Sequence, residues 1–185
     1  SSWFIWKNSD FNVTLTASDS GTGVASTLYC VDNLNSCSPN IEGTSTLISN
    51  DGSSYIRYQS IDYAGNLESV NAKLFKLDKT KPELTLNQDT LVVKVNENIN
   101  FNLEVSDSGS GLNTINWNFG DSNIGLGKQI IHGYSTDGVY TITANVTDNA
   151  SNSASKDKKV IVGSANYTGD TKDLELNFNE IPSGV

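Results

Sequence analysis

The sequence predicts an all-β chain of two tandem β-sandwiches followed by a short strand-like tail. Three observations carry this. Apolar and polar residues alternate with a period of two in one segment after another, as strands with a single buried face require. Asn, Asp, Gly and Ser clusters punctuate those segments about every 8–12 residues, and no stretch carries a helical stripe. The chain also spells one phrase twice. SDSGTGV from Ser18 returns as SDSGSGL from Ser106, and YIRYQSIDYAGN from Tyr55 is answered by YTITANVTDNASN from Tyr140. The offsets, about 88 and about 85 residues, are close enough to mark two copies of one structural unit.

At the amino end, Trp3 and Trp6 enclose Phe4 and Ile5. Two aromatics near a strand edge either cover the open end of the first sandwich or stack on sugar rings. FNVTLTAS follows, with Phe11, Val13, Leu15 and Ala17 on one face and Asn12, Thr14 and Thr16 on the other. The repeated Asp-Ser-Gly-Thr/Ser-Gly then offers an Asx-type acceptor and two residues that tolerate positive φ. It reads as a sharp connection, after which Val24 to Tyr29, and Leu112 to Phe119 in the second copy, resume as a strand crossing to the opposite sheet.

Cys30 and Cys37 stand in YCVDNLNSCSP with Asp-Asn and Asn-Ser turn formers between them. The two sulfurs can meet across a tight connection, so a disulfide is expected in an oxidising compartment, contributing roughly 2–3 kcal/mol in the chain-entropy model. The alternative is two unpaired buried thiols. A metal site at these cysteines has neither a second ligand pair nor more than one His in the chain to draw on.

The boundary between copies is expected in KLDKTKPELTL, where Pro82 cannot donate to a ladder and the lysines suit a short linker. This gives expected domains 1–80 and 81–163. In the second, LVVKV from Leu91, FNLEV from Phe101, INWNF from Ile115 and YTITANVTD from Tyr140 all alternate, which places Trp117 in the core with Ile115 and Phe119. The lysines of KDKKVIVG read as protection of an edge strand. Residues 164–185 belong to neither copy. There Leu174, Leu176 and Phe178 alternate with Glu175 and Asn177, a candidate assembly strand that needs a sheet to join: its own second sandwich, a further repeat, or a neighbouring subunit by strand addition.

Bulk properties narrow the functions. A net charge of -9, with 12 Lys+Arg, argues against a nucleic-acid partner. No apolar run approaches the roughly 20 residues of a membrane helix, and SSWFIWKNSD lacks a basic n-region followed by an apolar h-region. The absence of Met, even at position 1, is what an excised segment or a processed chain shows. A Ser-, Thr-, Asn-, Asp- and Gly-rich composition of modest charge matches secreted all-β proteins.

No catalytic residues are expected, because the single histidine, His132, belongs to the other copy from both cysteines and no nucleophile has a base beside it. No cofactor is required. Calcium is the candidate ion, with Asp19, Asp62, Asp107, Asp121 and Asp148 as candidate oxygen ligands and a domain junction as the expected place. The alternative is that each Asp caps its own turn, since no dense D-x-D-x-D-G loop is present. Candidate glycosylation sequons start at Asn12, Asn145, Asn149 and Asn166; Asn12 and Asn145 fall on the outward phase of their strands.

WNFGDS from Trp117 and HGYSTDGVYTITANVTDNASN from His132 resemble the PKD (polycystic kidney disease) domain, whose pattern is W-D-F-G-D-G, then H-x-Y, G-x-Y-T-V and V-T-D. Asn118, Ser122 and Gly133 depart from that pattern, and His132 matches one of its structural positions. The first copy, through Val13 to Val24, Tyr29 to Asp32, Tyr58 to Glu68 and Leu77 to Pro82, resembles Ig-like repeats of bacterial and archaeal surface proteins. The resemblance implies Ig-like sandwiches in an extracellular, non-catalytic structural or adhesive module of a cell-surface layer, stalk or filament. Its partners would be further copies, neighbouring surface domains or glycans. The alternatives are a carbohydrate-binding accessory module of a secreted enzyme and a passive spacer.

Overall fold

The computed structural model describes residues 5–86 and 91–163. The candidate assembly strand at Leu174, Leu176 and Phe178, the sequon at Asn166 and the aromatic Trp3 lie outside these residues. Every regular element among the described residues is a β-strand, in sheets that stack as sandwiches.

Strand pairing separates the elements into two sets. In the first, β1 (Trp6–Lys7), β7 (Asn71–Leu77), β6 (Gly52–Asp62), β3 (Val24–Asp32) and β4 (Ile41–Glu42) form a five-stranded sheet in that spatial order, and β2 (Phe11–Thr14) pairs with β5 (Ser45–Ile48). In the second, β9 (Leu91–Lys94), β15 (Ser153–Gly163), β14 (Gly138–Asp148), β11 (Leu112–Asn118) and β12 (Ile124–Leu126) form the five-stranded sheet. Opposite it lies a three-stranded sheet of β13 (Gln129–His132), β10 (Ile99–Ser106) and β8 (Glu83–Leu86).

The sets match strand for strand. Each has a short strand parallel to the last strand of the large sheet, β1 on β7 and β9 on β15. In each, the repeated Asp-Ser-Gly phrase carries the chain from the small sheet, β2 or β10, to the large one, β3 or β11. Each arrival strand then bulges, between Val24 and Ser26 and between Leu112 and Thr114, which strengthens the local twist just past the turn. Only β8 has no counterpart among the described residues of the first set.

Alternation decides what is buried. Along β10 the pattern is Ile99, Phe101 and Leu103 in, Asn100, Asn102 and Glu104 out; along β14, Ile142, Ala144 and Val146 are buried. These residues join Trp117, Phe119, Tyr134, Val160 and Val162 in the second core. Trp117, 1% exposed, donates its indole N–H to the Gly127 carbonyl at 2.8 Å, so the buried ring leaves no unpaired donor. Lys156, Lys158 and Lys159 lie on the part of β15 that pairs with β14 alone among the described strands, since β9 covers only Val160 to Gly163. Their charges guard an open edge.

Candidate functional site

Each set of sheets brings two aspartate-capped turns together. In the first, Asp19 Oδ2 accepts from the Gly21 and Gly23 amides, both at 2.8 Å, while Asp62 accepts from the Asn66 amide at 2.8 Å and the Asn66 side chain at 2.7 Å. In the second, Asp107 Oδ2 accepts from Gly109 at 3.1 Å and Gly111 at 2.7 Å, and Asp148 accepts from the amide and side chain of Asn152, both at 2.8 Å. The turns are joined alike: the Tyr63 amide donates to Gly23 O, and the Asn149 amide to Gly111 O. Of the two glycines in each phrase only the second, Gly23 (φ 88°) or Gly111 (φ 81°), takes a left-handed backbone. The first is not needed for φ.

A third carboxylate distinguishes the second copy. Asp78, in the connection between β7 and β8, accepts from the Ser110 amide at 2.6 Å and the Thr80 amide at 3.0 Å, and its carbonyl accepts from the Asn152 side chain at 2.8 Å. Its own amide donates back to the Lys7 carbonyl at 2.8 Å. Burial pushes the Asp78 carboxyl up, but the hydroxyl and amide of Ser110 and the amide of Thr80 outweigh it and hold it below the ordinary carboxylate value. Oxygens of Asp78, Asp107 and Asp148 all lie within 4.8 Å of one another. Gly109 makes room for this: a Cβ there would fall inside van der Waals contact with the Asp78 carboxylate.

Of the candidate ligands, the structure therefore brings Asp107 and Asp148 together and leaves Asp19, Asp62 and Asp121 outside that group, each with partners of its own. Asp121 caps Asn123 and accepts from His132 Nε2 at 2.8 Å. Burial raises its carboxyl, and Asn123 and His132 together lower it further than burial raises it. His132 packs between Phe119, at 4.1 Å between ring centroids, and Tyr134, at 4.7 Å, as part of the core wall. Burial, with Asp121 and Tyr140 nearby, pushes the Tyr134 phenol well above its ordinary value, so it stays protonated and donates to Phe119 O. Asp78 was missed from sequence because it stands in a lysine-rich connection. The available signal was an acidic residue directly ahead of the copy that carries both turn phrases.

Cys30 and Cys37 form a disulfide with Cα atoms 6.2 Å apart. Asp32 braces the same loop, its carboxylate accepting from the amides of Asn35, Ser36 and Cys37 and from the Ser36 hydroxyl. The Ser36 amide leads these bonds in holding its carboxyl below the ordinary value, against some desolvation. Asn12, Asn145 and Asn149 are exposed, but the Asn149 side-chain amide already donates to Ser110 O and Gly111 O. Trp6 is half-buried on β1 with Lys76 Nζ 5.1 Å from its ring centroid.

A groove runs along β2. Six consecutive residues, 11–16, line one side of it, as a strand edge does; Ile56, Tyr58 and Phe75 of the large sheet form much of the other. It lies where β10 of the second set carries β8. Among the described residues no helix is long and apolar enough to cross a membrane.

Residues 79–162 match the family model described as PKD domain, in line with the resemblance of the WNFGDS and VTDNASN segments. No curated protein matches the chain. Among solved structures, fibronectin(III)-like modules of Clostridium thermocellum CbhA are similar at 17% identity over 90% of this chain and 92% of theirs, with a TM-score of 0.47. A structure of carbohydrate-binding modules from the β-sandwich superfamily is 28% identical over 51% of this chain, with a TM-score of 0.42, and this chain spans only 38% of its length. The PKD domain of the human VPS10 domain-containing receptor SorCS2 is 16% identical over 48% of this chain and 76% of its own, with a TM-score of 0.36.

Proposed function

We propose that this chain is a non-catalytic structural or adhesive module of an extracellular, cell-surface protein, made of domains 1–80 and 81–163, and that it joins its neighbours in a layer, stalk or filament by strand addition. The observation that carries this reading is the difference between the matched small sheets, β2 and β5 against β8, β10 and β13. A strand edge that no described strand pairs with, above an apolar groove, is a template for an extended segment, with main-chain hydrogen bonds giving affinity and alternate side chains filling the groove. The alternation of Leu174, Leu176 and Phe178 supplies that pattern within the chain itself. The disulfide fits an oxidising, extracellular compartment. Light scattering on the full chain and on a chain ending at residue 163 tests the reading. Concentration-dependent particles that disappear on truncation support it. A full-length monomer, or assembly that survives truncation, overturns it.

A second reading is a carbohydrate-binding module, favoured by Phe11, Tyr58 and Phe75, half-buried aromatic rings in the same groove beside Lys73 and Lys76. Retardation of the truncated, monomeric chain on polysaccharide affinity gels would select it.

A further inference from the structure

We propose that Asp78, Asp107 and Asp148 hold a calcium ion, which ties the connection between the two sandwiches to the turn-bearing end of the second. The site stands apart from strand addition and applies whatever the chain assembles with.

Asp78 and Asp148 are 1% and 0% exposed, and one oxygen from each lies within 4.8 Å of an oxygen of Asp107. Oδ1 of Asp107 is sealed from solvent and receives no hydrogen bond, although Oδ2 of the same carboxylate takes two glycine amides. Among the described residues no ion pair reaches any of the three carboxylates. Buried charge without an opposite charge is unfavourable, as is a buried acceptor without a donor, and three like charges this close add repulsion. A cation among them removes all three penalties. It also gives the orphaned Oδ1 a partner that no protein donor supplies.

The chemistry of the donors selects the ion. All three are hard carboxylate oxygens with no imidazole or thiolate, which suits Ca²⁺ or Mg²⁺ over transition metals. Oxygens bound to Ca²⁺ sit as far as roughly 4.6–5.2 Å apart across the ion, against roughly 4.0–4.2 Å across Mg²⁺, which also demands stricter geometry and keeps its waters. Three protein carboxylates, two of them fully buried, fit Ca²⁺, which builds its shell from protein oxygens, better than Mg²⁺. Gly109 keeps the cradle open, because any side chain there would displace the Asp78 carboxylate.

The consequence is mechanical. Asp78 is held to the first sandwich through Lys7, and its neighbour Lys79 reaches Asp10 at 2.9 Å and the Ser49 carbonyl at 2.8 Å. An ion binding Asp78 to Asp107 and Asp148 therefore fixes the connection from the other side and stiffens the junction.

The test uses the full 185-residue chain stripped with EDTA, titrated calorimetrically with CaCl₂ and in parallel with MgCl₂, and melted with and without Ca²⁺. The expected result is one Ca²⁺ per chain with a dissociation constant of about 10⁻³ M or tighter, weaker Mg²⁺ binding, and a Tm raised by about 5 °C or more at saturation. Asp107→Asn keeps an oxygen for the Gly109 and Gly111 amides but removes the charge, and is expected to weaken binding by about tenfold or more. Asp19→Asn, the same change in the matching turn, leaves binding unchanged. No heat of binding and no change in melting overturn the proposal, as does binding that Asp107→Asn leaves intact, and tighter Mg²⁺ overturns the choice of ion. Should Asp107→Asn fail to fold, Ca²⁺-induced amide shifts in the wild-type chain decide: shifts at Gly109, Ser110 and Asn152 support the site, and shifts confined to Gly21, Gly23 and Asn66 overturn it.

Discussion

Among the described residues, twelve buried ones centred on Phe101, Trp117 and Phe119 fill the space between the five-stranded and three-stranded sheets of the second sandwich; in the first, the cluster between the five-stranded and two-stranded sheets has three, Ile48, Ile56 and Leu77. The strands themselves alternate equally well in both. Phe11, Val13 and Leu15 point the same way as Ile99, Phe101 and Leu103, but with no described strand in the place of β8 they are half-buried among the described residues. Core size is therefore set by the neighbouring strand, not by the pattern along any one strand. The first sandwich compensates locally, with the Cys30–Cys37 disulfide and the Asp32 carboxylate bracing one loop, whereas the second holds together without a cysteine.

If the two cores are separate, they should fail separately. Trp117→Ala removes the indole at the centre of the larger core and its bond to Gly127, and is expected to cost about 3–5 kcal/mol. Ile56→Ala, at a residue that lines the groove of the smaller described core, should cost about 2 kcal/mol, the low end for such a truncation. Calorimetry of the whole chain checks this, each variant lowering one of two transitions. A single transition that both variants shift alike would break the comparison. An effect comparable to that of Ile56→Ala is expected from the disulfide: Cys30→Ser with Cys37→Ser should lower only the first transition, by about 2–3 kcal/mol.

The finest contrast lies between matched glycines. Gly21 and Gly109 occupy the same place in the repeated phrase, and neither has a positive φ. A Cβ on Gly21 would meet only Asp19 Oδ2, at 3.4 Å, in ordinary contact. On Gly109 it would collide with the buried Asp78 carboxylate, which is hydrogen-bonded in place. Gly21→Ala should therefore change stability by less than about 0.5 kcal/mol, and Gly109→Ala should cost about 1–3 kcal/mol. Denaturant titration of the two variants reads the difference, and equal effects would show that the two turns are equivalent after all.

The fold class, the strand positions and the turn chemistry were legible because each depends on near neighbours in the chain. Alternation with a period of two marks a half-buried strand wherever it occurs. The Asp19, Asp62, Asp107 and Asp148 caps reach amides two or four residues away, and the disulfide closes a separation of seven. Of the five candidate aspartates only Asp107 and Asp148 meet in one cluster, and Asp78, which meets them, was not among the five, because composition shows how many carboxylates there are and not which of them come together.

Tertiary structure alone decided three things. It placed Asp78 against Ser110 and Asn152, 32 and 74 residues away, gave Gly109 its reason to be glycine, and among the described residues gave β10 the neighbour β8 where β2 has none. Each is a meeting of chain segments brought together by strand register and sheet stacking. A hydrogen bond across a turn is fixed by the few residues that make it. A junction of three carboxylates from a connection and two distant turns exists only once both sheets of the second sandwich have closed on each other.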